Sequence, residues 1–163
     1  MMRSLLLLPI AALVIVLVAC TPGAVQPETI SYALDEQNNS GIDGIVTFEK
    51  MSATETRVSI DVDGTSGTQD YPAHIHVGDV GSGGAIYVTL GFVDPDTGTS
   101  SIVVTETDAG TAVDYEHLVN YDGYVNVHNP ADPSVIFAAG EIGEGANDVQ
   151  IDPTLNPAGD TTN

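Results

Sequence analysis

The chain has 163 residues, 42% of them apolar, and sets 23 Asp and Glu against three Lys and Arg. That length suits one domain with a single core. The formal charge of −20 repels phosphate backbones and anionic headgroups, so neither nucleic acid nor an anionic lipid surface is expected as a partner.

The first segment in chain order is Met1-Met2-Arg3-Ser4 followed by an apolar run from Leu5 that ends in Leu17-Val18-Ala19-Cys20. One positive charge, an apolar stretch interrupted by Pro9 and a small residue at its end have the form of an export signal. The run is shorter than a free-standing membrane helix requires. Cys20 is the only cysteine and has no disulfide partner in the chain. Leu17 to Cys20 resembles the bacterial lipoprotein lipobox, which implies cleavage before Cys20 and diacylation of Cys20. Two acyl chains anchor a soluble domain stably where one is marginal. The expected organisation is a signal peptide at 1–19, the lipidated Cys20 and a tether at 20–40, a β domain at 41–144 and an acidic, mostly disordered tail at 145–163. The expected location is extracytoplasmic, on a membrane of the bacterial cell envelope. Without the signal, Lys50 and Arg57 stand alone against 23 acids, a charge of −21. Such acidity is read first as solubility or a salty habitat and second as cation binding.

From Val46 onward the apolar pattern has period two. Val46 and Phe48 alternate with polar residues, as do Val58, Ile60 and Val62, then Ile75 and Val77, then Ile86, Val88 and Leu90. Ser101 to Thr105 is a further β-branched run, Val125 and Val127 alternate again, and Val135 to Ala139 closes the series. Turn chemistry fills the gaps: Asp63-Gly64, Gly81-Ser82-Gly83-Gly84, Asp94-Pro95-Asp96-Thr97-Gly98, Asp122-Gly123 and Asn129-Pro130. Short alternating strands with such punctuation predict an all-β sandwich or barrel, and no segment has sustained helical spacing. A short strand at Val149-Gln150-Ile151 is expected within the tail.

Four histidines can be weighed singly: His74, His76, His117 and His128. Residues i and i+2 of a strand share a face, so His74 and His76 point together, opposite Ile75 and Val77. His128 likewise opposes Val125 and Val127. If the two strands are close, three imidazoles converge on the non-core face, a donor set for copper, zinc or nickel. Asn126, Tyr124 and Asp79 are candidates to hydrogen-bond the ring nitrogens facing away from a metal. His117, among acids, is read as a surface residue. Asp94 to Gly98 lacks the spacing and terminal glutamate of a calcium loop and is read as a turn. No Gly-x-Ser-x-Gly elbow is present.

Pro72-Ala73-His74-Ile75-His76-Val77-Gly78, Gly83-Gly84-Ala85-Ile86, Gly123-Tyr124-Val125-Asn126-Val127-His128 and Ala139-Gly140-Glu141-Ile142 together resemble the CHRD (chordin-type) domain over about residues 42–144. The chain departs from that family at Gly143, where an arginine is usual, and in an acidic insertion around Asp94 to Gly110. More distantly the same segments resemble copper-zinc superoxide dismutase, through His74-Ile75-His76 with Gly78-Asp79, then His128, then Ala138 to Gly143. That resemblance implies a Greek-key β-sandwich or barrel of the superoxide dismutase kind, with His74, His76 and His128 at three copper-ligand positions. Against an ordinary dismutase stand the short loop from Asp79 to Gly84, the missing disulfide cysteines, and Ile136 near the place of the anion-guiding arginine. The leading expectation is therefore a lipid-anchored protein that binds a transition metal, copper before zinc, for metal handling or as a redox site. The alternatives are a structural or adhesive envelope module with no metal, and a weak dismutase-like enzyme.

Overall fold

The structure, a computed structural model, describes residues 27–146. Eight strands form one sheet: β1 Thr29–Glu36, β2 Asp43–Lys50, β3 Thr56–Asp63, β4 Tyr71–Val77, β5 Ile86–Val93, β6 Thr99–Val104, β7 Gly123–Asn129 and β8 Asp132–Ile142. Their order is β5-β4-β7-β8-β1-β2-β3-β6, with every neighbouring pair antiparallel. The two edge strands, β5 and β6, approach one another, so the sheet curls into a nearly closed barrel. The all-β expectation holds. Helical structure among the described residues is one turn of helix, α1 Tyr115–Val119, and a 3-10 turn at Gly143–Gly145.

Alternation explains the strands. On β3, Val58, Ile60 and Val62 are buried while Ser59 and Asp61 face outward, and on β2 Val46 and Phe48 are wholly enclosed. These side chains meet Ile75 of β4 and Val125 and Val127 of β7 in one core. Tyr32 packs edge-to-face on Phe48 with ring centroids 5.7 Å apart, and its hydroxyl donates to the Val119 carbonyl at 3.2 Å. Asp114 caps α1 by accepting from the His117 amide at 2.9 Å, and the helix buries Tyr115 and Leu118 in the core. Gly140 lets β8 lie close against β1, because a β-carbon there would lie 1.9 Å from the Ala33 carbonyl oxygen.

Three expectations are corrected. The folded chain begins with β1, inside the stretch read as tether, because Tyr32 and Leu34 complete the core and Ser31 is buried in a 2.8 Å bond with Thr47. Val77, expected in the core, is 44% exposed because it ends β4, where the sheet no longer covers it. Ile86, read on one face with Val88 and Leu90, is 46% exposed because the β4–β5 pairing slips between Ile75 and His76. A one-residue slip turns a side chain to the other face. The segments read as export signal and lipidated Cys20, the start of the expected tether and the strand expected at Val149 to Ile151 lie outside the described residues.

Candidate metal centre

The centre is built on β4 and β7, which pair as Ala73↔Val127, His74↔Asn126, Ile75↔Val125 and His76↔Tyr124. Opposite residues share a face, so His74 and His76 stand on the same side as Tyr124, Asn126 and His128, with Ile75 and Val127 toward the core. Bulges flank the cluster. The β4–β5 register shifts beside His74 and again beside His76, and the β7–β8 register shifts on both sides of His128. Such irregularities re-aim side chains, and here they turn three rings toward one point.

One ligand atom from each of His74, His76 and His128 lies within 4.8 Å of the others. Ring centroids are 5.0 Å apart for His74 and His128 and 5.7 Å for the other two pairs. His76 and His128 are 8% and 7% exposed, and His74 is half-buried, so the cluster is open to solvent on the His74 side.

The hydrogen bonds state which nitrogens are free. His76 Nδ1 lies 2.9 Å from the Gly84 carbonyl oxygen, which can only accept. The proton therefore sits on Nδ1, and the Nε2 lone pair, buried and without a partner, is left for a ligand. Tyr124 stacks on this ring at 5.1 Å and 14°. His74 Nδ1 and both nitrogens of His128 are also buried without a hydrogen bond of good geometry, although the Pro133 carbonyl lies near the His128 ring. Among the described residues, four of the seven unpartnered buried side-chain atoms belong to these three rings. Leaving such an atom bare costs about 1–3 kcal/mol, so this concentration is a reason to look for a ligand.

Burial lowers the proton affinity of His74, the neighbouring His128 and His76 lower it further, and Asp108 partly opposes them, giving a pKa of about 4. His128 is lowered too, first by burial and then by His76, with the Pro133 carbonyl pulling the other way. Neutral imidazole is the form that binds metal. Three imidazole nitrogens, joined by no thiolate or carboxylate among the described residues, fit copper, zinc or nickel and do not suit calcium or magnesium.

Depressed proton affinity has a consequence for stability. An unfolded histidine titrates near 6.5 and folded His74 near 4, so between those values the unfolded chain binds more protons. That contribution is fully present above pH 6.5 and is lost as the pH falls toward 4. The urea midpoint of the metal-free domain should decline across this window, and less steeply in His74→Gln. Equal slopes in the two proteins would contradict the assignment.

Of the other residues singled out, Asn126 lies across from His74 with its Oδ1 unpartnered. Asp79 sits in the β4–β5 loop, where its backbone carbonyl accepts from the Ser82 amide at 3.0 Å. Its side chain makes no hydrogen bond to an imidazole among the described residues. His117 is apart from the cluster, exposed on α1 and 2.9 Å from the Tyr87 hydroxyl. Asp94 closes its own turn, with Oδ1 accepting from the amides of Asp96 and Thr97 at 2.9 Å each. The Gly84 carbonyl was not anticipated from sequence, since a backbone group carries no residue signature.

A family model described as the CHRD domain matches residues 30–136, a span that takes in most of β1 and all three histidines. No curated protein matches the chain.

Proposed function

The chain belongs to the CHRD domain family, and from that premise we propose that it is an envelope-anchored lipoprotein that holds one transition-metal ion, copper before zinc, on His74, His76 and His128. One observation carries the reading: three imidazoles converge within 4.8 Å, with buried nitrogens that have no other partner. Copper stands ahead of zinc because imidazole sites bind Cu(II) more tightly than any other divalent ion of the first transition row. The protein's part is to fix His76 by the Gly84 carbonyl, lower the proton affinity of His74 and His128 by burial and leave the His74 side accessible. Anchoring rests on the export signal and the single Cys20. The acidic chain disfavours an anionic substrate, so handling of the metal is preferred to turnover of superoxide.

Titration of the mature domain with Cu(II) and Zn(II), beside a His74→Ala/His76→Ala/His128→Ala variant, tests the reading. One equivalent should bind to the parent and none to the variant at the same concentration. Equal binding by both, or binding by neither, would leave a structural module. In cells, Cys20→Ser should move the protein from the membrane to the soluble fraction.

A further inference from the structure

We propose that Asp108, held against β5 by its own loop, supplies the negative charge that the three-histidine site lacks and so favours divalent over monovalent ions there. The inference rests on the metal reading and names what tunes that site.

The loop between β6 and α1 is closed on itself. Thr107 donates its amide to the Thr111 carbonyl at 2.8 Å, Gly110 to the Thr107 carbonyl at 2.9 Å, and Glu106 bridges to Ala112. Its tip is then fixed to β5. The Asp108 amide donates to the Tyr87 carbonyl at 3.1 Å, Oδ1 accepts from the Thr89 amide at 2.8 Å, and Oδ2 accepts from the Thr89 hydroxyl at 2.7 Å. Thr89 is the residue paired with His74, on the same outer face. A carboxylate with both oxygens positioned is thus carried beside the accessible side of the cluster.

Three neutral ligands leave the whole ionic charge uncompensated, and the attraction of a fixed anion scales with that charge. The effect on a monovalent ion is therefore the square root, in fold-change, of the effect on a divalent one. Asp108→Asn keeps an oxygen for the Thr89 amide and removes only the charge, and Asp108→Glu restores it. In Asp108→Asn, affinity for Cu(II) and Zn(II) should fall about tenfold and affinity for Cu(I) about threefold. The Cu(II)/Cu(I) potential should then rise by about 30 mV, a threefold ratio at 59 mV per decade. High salt should shrink these differences, and Asp108→Glu should lie near the parent. Unchanged binding in Asp108→Asn, or equal loss for all three ions, would overturn the proposal while leaving the site intact. A parent that binds none of them would overturn both.

Discussion

Gly84→Ala is expected to weaken metal binding about 10–100-fold, the range seen when the partner of a ligating histidine is lost. A β-carbon on Gly84 would fall 1.8 Å from the Val77 carbonyl oxygen and 2.9 Å from its carbon. No side-chain rotation relieves a clash between backbone atoms, so the segment must move. It is fastened on both sides of that contact: the Val77 amide donates to the Ala85 carbonyl at 3.0 Å, and the Gly84 carbonyl receives His76 Nδ1 at 2.9 Å. Moving Gly84 frees the His76 ring to turn and to place its proton on either nitrogen. The melting temperature should fall as well, because the end of β4 loses its return contact. Ser82→Ala, in the same loop but with an exposed side chain, is the comparison that should change neither quantity. Calorimetric titration and thermal melting of the three proteins decide it. Parental affinity in Gly84→Ala would mean that the ring is oriented by something else.

Gly84 also marks the limit of what the sequence makes legible. Strand parity is a local property, so the shared face of His74 and His76 and the outward side of β7 follow from alternation with Ile75 and with Val125 and Val127. That β4 and β7 are neighbours does not follow. Their pairing joins segments separated by β5, β6 and α1, and only the strand order of the whole sheet places them together. Bulges are equally invisible in alternation. The slip beside His76 is what turns Ile86 outward, against a pattern that grouped it with Val88 and Leu90. β1 is illegible for another reason: its Ser31 and Thr29 interrupt the apolar pattern, and it follows a Pro-containing stretch that reads as linker. Its burial depends on Thr47 and on closure against β8, neither of which is local. Asp108 belongs to the same class. A surface loop rich in Asp, Thr and Gly carries no sign that it will fold back onto the strand beside a histidine.

His128→Leu should abolish metal binding and, in the same protein, raise the stability of the metal-free domain. The ring is 7% exposed, and both of its nitrogens are buried without a hydrogen bond of good geometry. A neutral imidazole has one donor and one acceptor, so folding without a ligand strips water from both and returns little. Leucine has similar bulk and no polar atom to desolvate. The removal of an unsatisfied buried group recovers about 1–3 kcal/mol, and imperfect repacking takes back part of that. A net gain of about 1 kcal/mol corresponds to a rise of about 2–8 °C for a domain of this size class. With saturating metal the order should reverse. Ligand at one hundred times its dissociation constant adds about 2.7 kcal/mol to the parent and nothing to a variant that cannot bind. The crossing of the two melting temperatures is the informative result, because a histidine kept for packing would be destabilising to replace under both conditions. A His128→Leu protein less stable than the parent without metal would show that this ring is there for the fold.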